Sequence, residues 1–248
     1  MIPLAVQTYT IRNEWKTDPC MALAGLVALG VKNVELARVD FTPQTAKLVK
    51  QSGLRVISVQ AKFKTLDKEF KAMVAFLNEV SCRIAVVSVL GLKPLFLGLR
   101  AVTAYARDLD RLALRYRNEG ITLAFHHHDF EFVHIRGKTK LEWLLEHSKE
   151  IRFVSDTYWC KVAGHEPFDV AQQFGERLIG WHLRDYDAVS RKHPDLPCGK
   201  GSIDFAKLLA NAPSGVVYGA IEQNSIQPYK DLQTSLDHFR SIQAKEAL

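Results

Sequence analysis

Three consecutive histidines, His126, His127 and His128, close the apolar run ITLAF, and Asp129 and Glu131 follow them directly. An extended chain alternates its side chains, so His126 and His128 share one face and His127 takes the other. Two neutral imidazoles on one face at a strand end can share a metal ion. Two nitrogens alone do not make a firm site, so other segments must end in matching ligands. Asp156 closes the run IRFVSD, His182 falls near the end of LIGWHLR, and Glu222 falls near the end of VVYGAIEQ. Such a mixed nitrogen and oxygen set suits one divalent ion such as Mn, Zn, Co or Fe better than calcium, and Mg is the remaining candidate. The chemistry it permits is proton transfer. A proton next to a carbonyl is too weakly acidic to leave at neutral pH. A cation on the carbonyl and a neighbouring hydroxyl stabilises the enediolate, and a positioned carboxylate accepts the proton.

These residues meet only if the chain converges its strand ends. Short apolar runs over 4–8, 31–36, 54–60, 83–90, 121–127, 151–157, 178–184 and 216–223 read as eight strands. Helical segments separate them. Asp18-Pro19 and Thr42-Pro43 are helix starts. Over 65–80, Phe70, Met73, Val74 and Leu77 fall on one helical face. Further helices are expected over 97–118, 140–147 and 168–174, from a Ser202 cap to 211, and from 229 onward. Apolar strands between helices are buried on both faces, as in a parallel sheet. Eight such units predict an α/β protein, a single (β/α)8 TIM barrel spanning residues 1–248 as one domain. A doubly wound open sheet is the alternative. Barrel sites lie at the C-terminal strand ends, where Glu35, His126, His128, Asp156, His182 and Glu222 all fall.

Composition bounds the partners. The 248 residues are 47% hydrophobic and 24% charged, with a net charge of +6. Lys and Arg are scattered rather than gathered into a nucleic-acid-binding arm. No apolar run is long enough to span a bilayer, and the start MIPLAVQTYT lacks the basic region of a signal peptide. Cys20, Cys82, Cys160 and Cys198 are widely spaced with no CxxC pair, which fits a reduced, cytoplasmic protein. The expected partner is a small molecule, with neither nucleic acid nor membrane.

Several stretches together resemble the xylose isomerase-like TIM barrel superfamily, whose members are usually labelled sugar phosphate isomerase/epimerase. They are VQTYTIR, GVKNVEL, LAFHHHDFEF, SDTYWCKVAGHEP, RLIGWHLRD, CGKGSIDF and VVYGAIEQN, in order along nearly the whole chain. The resemblance implies one divalent ion chelated by a polyhydroxylated carbonyl substrate, a sugar or keto-sugar. It implies ligands at Asp156, His182 and Glu222, and a homo-oligomer, dimer or tetramer. Ketose epimerases place a fourth ligand, a glutamate, where His126 stands here with His128 nearby, so either histidine is a candidate. Without that glutamate the symmetrical two-carboxylate arrangement is lost. Glu222 is then the expected base, with His128 or Glu131 as the second acid/base group. The leading expectation is an isomerase or epimerase. The alternative is a lyase or dehydratase of a keto-sugar, keto-inositol or 3-keto-glycoside. A metal-dependent abasic-site endonuclease and a non-catalytic sugar-binding barrel are more distant alternatives.

Other departures and candidates bear on substrate binding. Trp159 stands where relatives often have histidine, and Arg184 stands where they have lysine. Arg184 cannot accept a proton as lysine does, so it would bind or polarise a substrate oxygen. Glu35, Gln60 and Trp159 are further candidate substrate contacts, and Trp15 could pack a sugar face. The loop Cys198-Gly199-Lys200-Gly201 reads as a turn, with an anion site at Lys200 as the alternative. His127, His134, His147 and His193 are not expected to be ligands.

Overall fold

The computed structural model describes residues 2–190, 192 and 194–246, the last without its side chain. Eight parallel strands close on themselves: β1 (Leu4–Gln7), β2 (Asn33–Ala37), β3 (Arg55–Ala61), β4 (Ile84–Val87), β5 (Thr122–His126), β6 (Arg152–Asp156), β7 (Leu178–Leu183) and β8 (Tyr218–Ile221). β1 pairs with both β2 and β8, and this closure excludes the open-sheet alternative. The outer strand faces pack under the helices in one large core. The barrel interior is a smaller cluster built on Ala5, Val86, Ala124, Val154, Ile179, Tyr218 and Ala220. Mostly small side chains fit that narrow interior, and Tyr218 is the exception. Its ring lies where a Cβ on Gly180 would sit, so a glycine is required there.

Asp18 and Thr42 cap their helices as the sequence implies, accepting from the backbone N–H of Met21 and Thr45. Two expected helices need correction. The segment 65–80 is two helices, Phe63–Lys68 and Phe70–Glu79, parted at Glu69. The Tyr116 hydroxyl donates to the Leu66 carbonyl at 2.9 Å and so occupies that acceptor at the break. Ser202 does not cap the helix Phe205–Ala210. Asp204 does, accepting from the Lys207 N–H at 2.9 Å, while Ser202 donates to the Tyr186 carbonyl. Among the residues set aside as ligands, His193 lies outside the described residues.

The loop after β7 shapes one side of the barrel mouth. Buried Asp185 accepts four backbone N–H groups, from Tyr186 and Ile203 on Oδ1 and from Gly199 and Gly201 on Oδ2, at 2.8–3.1 Å. A Cβ at Gly201 would collide with that carboxylate. The Gly-rich loop is thus a turn wound around Asp185, and two of its amides are already taken by this internal anion. Removing the carboxylate leaves several buried N–H groups without acceptors. Asp185→Ala is expected to lower the unfolding free energy by about 3–5 kcal/mol, measured by urea denaturation. A loss under about 1 kcal/mol would show that water replaces the carboxylate.

Candidate metal centre and active site

Strand register brings the candidate ligands to one end of the barrel. Asp156 closes β6 directly opposite His182 on β7. Glu222 follows β8, its N–H donating to the Leu183 carbonyl of β7 at 3.2 Å. His126 is the last residue of β5 and is paired with Val154 of β6. A nitrogen or oxygen from each of His126, Asp156, His182 and Glu222 lies within 4.8 Å of every other, and all four residues are buried.

The atoms facing one another identify the donors. Nδ1 of His126 and Oδ2 of Asp156 are buried without a hydrogen-bond partner. His182 Nδ1 lies 3.0 Å from Glu222 Oε2 and 4.0 Å from Asp156 Oδ2. Buried polar atoms nearly always find partners, and two orphaned acceptors, on His126 and Asp156, beside the His182–Glu222 pair are what a divalent cation would satisfy. Burial and the neighbouring imidazoles push His126 well below the usual histidine range, so it is neutral with a lone pair to give. Burial also works against a charge on His182, but the Glu35 and Glu222 carboxylates outweigh it and hold its pKa up at about 10. An incoming cation must therefore displace a proton from His182.

Glu35 lies beneath this cluster and does not line the cavity. It is fully buried, with Oε1 2.7 Å from His182 Nε2. Gln7, Ser58 and Tyr218 all donate to it, and Gln7 Nε2 is also 3.2 Å from His182 Nε2. A register shift between Val34 and Glu35 accompanies its placement. Where a metal binds histidine, a carboxylate paired in this way orients the imidazole and raises its basicity. Glu35→Gln is expected to weaken divalent-ion affinity about 10–100-fold with the fold retained. Calorimetric titration checks it, and unchanged affinity would leave Glu35 a purely structural anion.

Above the cluster opens a cavity of about 690 Å3. His126, His128, Trp159, Arg184, Glu222 and Gln60 all line it. His128 follows β5, with its ring edge-on to His126 at 4.8 Å and 5.3 Å from Trp159. It is not one of the four converging residues, and its own Nδ1 is a buried orphan. Burial lowers its pKa to about 4, Arg184 and His182 reinforcing this against Glu222, so it is neutral at pH 7. Gln60 Nε2 is likewise buried without a partner. Trp15 instead packs in the main core.

Arg184 ties the carboxylates together. Its Nη1 lies 3.3 Å from Glu222 Oε1 and 3.6 Å from Asp156 Oδ2, and Nη2 lies 2.7 Å from Asp195 Oδ2. The guanidinium sits over the rings of Tyr158 and Trp159 at 4.7 and 5.4 Å. Asp195 reaches it because the strand pair Asp185–Tyr186 and Asp195–Leu196 folds the loop back. Burial raises the carboxylate pKa of Glu222, yet Arg184 and His182 outweigh it and leave Glu222 ionised. Sequence reasoning missed Asp195, Ser58 and Tyr218. Gln7 carried a signal, since it ends the first strand within VQTYTIR.

Glu131 is fully buried in the short helical turn Phe130–Phe132 and does not line the cavity. One oxygen accepts the His128 N–H at 2.8 Å and the other has no partner. Burial pushes its carboxyl up to about 8. The unfolded chain would release this proton near 4.5, the folded chain only near 8. The resulting contribution to stability is whole at low pH and is lost as pH rises from 4.5 through 8. Glu131→Gln is therefore expected to raise the melting temperature relative to the parent more at pH 8 than at pH 5. A pH-independent difference would mean that Glu131 is already ionised at pH 5.

No protein-family model matches the chain, and no curated protein matches it by sequence. Solved structures do match by fold. A sugar phosphate isomerase/epimerase from Parabacteroides distasonis superposes with a TM-score of 0.78 at 17% identity, covering 97% of this chain and 94% of that one. A probable 3-DHS dehydratase from Bacillus anthracis gives 0.73 at 11%, covering 97% and 99%. A D-allulose 3-epimerase from Methylomonas sp. gives 0.71 at 14%, covering 97% and 98%. By fold, the chain is a single (β/α)8 barrel, the architecture it shares with these isomerase/epimerase, dehydratase and epimerase structures.

Proposed function

We propose that this protein is a divalent-metal-dependent sugar isomerase or epimerase that moves a proton on a carbon next to a carbonyl. One observation carries the reading. Two orphaned buried atoms, His126 Nδ1 and Asp156 Oδ2, converge with His182 and the ionised Glu222, which also reaches the cavity. A cation held there would supply a Lewis acid that polarises the substrate's carbonyl. Glu222 accepts the proton, its carboxylate oriented by Arg184. Arg184 binds a substrate oxygen through the guanidinium edge that faces Glu222. His128, neutral at pH 7, is the group placed to take or relay a second proton. Trp159 packs against the sugar face and Gln60 donates a hydrogen bond to a hydroxyl. Four unpaired thiols, three of them buried, fit a reducing cytoplasmic setting.

A second reading, elimination by a lyase or dehydratase, has its own support. The carboxylates lining the cavity, among the described residues, are Glu222 and Asp195. Asp195 is engaged by Arg184 and by the Asn224 N–H. No free carboxylate therefore opposes Glu222, and one base suffices for elimination. Incubating the metal-reconstituted protein with a panel of keto-sugars in deuterated water separates the readings. Deuterium next to the carbonyl in an isomeric or recovered sugar supports isomerisation. Loss of water or a leaving group, with or without deuterium in the product, supports elimination. Neither exchange nor loss of a leaving group on any sugar, with metal bound, would contradict both.

A further inference from the structure

We propose that the substrate is anionic, carrying a carboxylate or phosphate at the end remote from its carbonyl, and that Arg38 and Lys62 bind that group. The placement of the reacting end rests on the proposed function; the charge preference does not. In the closed order of the barrel, β2 and β3 stand across the mouth from β6 and β7. Arg38 directly follows β2, Lys62 directly follows β3, and both line the cavity. Asp156, His182 and Arg184 lie at the ends of the facing strands.

The charges on the two sides are used differently. The charge of Arg184 is already balanced by Glu222, Asp156 and Asp195. Those pairings also account for both carboxylates that line the cavity. Among the described residues, Arg38 and Lys62 have no carboxylate within 4 Å, and the recorded neighbour of the Arg38 guanidinium is the Tyr9 ring at 6.0 Å. Two uncompensated cations thus face a space whose own anions are engaged elsewhere.

Two further observations point to a ligand on this wall. Gln60, the next-to-last residue of β3, holds a buried Nε2 donor with no partner. Arg38 adopts a left-handed backbone, φ 58°, which is uncommon for a residue with a Cβ. Strain of this kind gathers at ligand sites. A planar guanidinium grips a carboxylate or phosphate through two parallel hydrogen bonds, and an ammonium adds a point charge. A cavity of about 690 Å3 has room for a sugar bearing an additional group that reaches from one wall to the other.

The test compares three ketoses that differ only at C6: D-fructose, D-fructuronate and D-fructose 6-phosphate. Dissociation constants are read by calorimetry on the full, metal-reconstituted chain. At least one anion is expected to bind about tenfold or more tightly than D-fructose. That ratio is expected to fall to near one in the double variant Arg38→Ala/Lys62→Ala and to survive in Lys62→Arg. The anion that carries the preference identifies carboxylate or phosphate. Both residues are exposed, so the double variant should melt like the parent, and its melting curve is recorded alongside. Equal binding of all three ketoses, no binding of either anion, or a preference that survives the double variant would overturn the proposal. Binding is read without turnover, so a failure of the acid–base chemistry is registered separately by deuterium exchange.

Discussion

Glu222→Gln is expected to lower deuterium exchange on a keto-sugar by about a hundred- to ten-thousandfold, the range a positioned general base contributes. Arg184, 3.3 Å away, and His182 keep the Glu222 carboxylate ionised although it is buried. The other carboxylate lining the cavity, Asp195, is tied to Arg184, so no neighbour stands ready to replace it. Glutamine keeps the shape and one oxygen, so a divalent ion should still bind, though more weakly. Metal content measured on the same sample separates the two roles. Retained metal with lost exchange marks Glu222 as the base. Metal and exchange lost together would make it a ligand first. Exchange at the parental rate would remove it from the mechanism.

Loss of the metal altogether is the expected result for His182→Ala. Divalent-ion affinity should fall by more than about a hundredfold, beyond what loss of an outer partner costs. His182 lies between Glu35 at 2.7 Å and Glu222 at 3.0 Å, both buried. Removing the imidazole also strands two carboxylates, a penalty of about 3–5 kcal/mol for a broken buried pair. Because that alone could unfold the protein, Asp156→Asn serves as the companion variant. It retains the volume and replaces the carboxyl that faces the site, whose pKa burial pushes up to about 7. A pH dependence belongs to the same prediction. His182 carries a proton up to about 10 in the metal-free protein. Cation and proton compete for Nδ1, so affinity should rise with pH across the neutral range, and binding should release a proton. Calorimetry in buffers of different ionisation enthalpy reads that release. Affinity independent of pH would mean that His182 binds no proton the metal must displace.

The barrel was legible because its signals are local. Apolar runs such as LRVISVQ and IRFVSD alternate with segments that open on Asp-Pro or Thr-Pro and close near a glycine. Each of those features follows from chain geometry without knowledge of distant contacts. The four converging side chains were legible for a related reason. Each is at or next to the end of its strand, and closure of the barrel brings those ends together whatever the loops do. The histidine pair could not be resolved on sequence. Alternation puts His126 and His128 on one face, but β5 ends at His126, and the chain has left the strand before His128. Only His126 then joins the four-residue cluster.

What stayed hidden depended on side chains that meet across long separations. Glu35 presents itself as a strand-end carboxylate, equally suited to touch substrate. Its partners Ser58 and Tyr218 come from β3 and β8, and together they turn it towards the His182 Nε2. Asp195 sits in a loop with no periodicity, and nothing local indicates that the loop doubles back onto Arg184. Glu131 is five residues past the strand in a stretch with charged neighbours, a setting that reads as a solvated loop, yet the chain folds over it completely.

The most direct test of the metal centre is anomalous diffraction from crystals soaked in manganese and, separately, zinc. The account predicts one strong anomalous peak per chain, bounded by His126 Nδ1, Asp156 Oδ2, His182 Nδ1 and a Glu222 carboxylate oxygen. It also predicts that the peak is missing from the Asp156→Asn protein. A peak elsewhere, or none at either metal with the four side chains arranged as described, would contradict the assignment of this cluster as a metal site and the proton-transfer chemistry built on it.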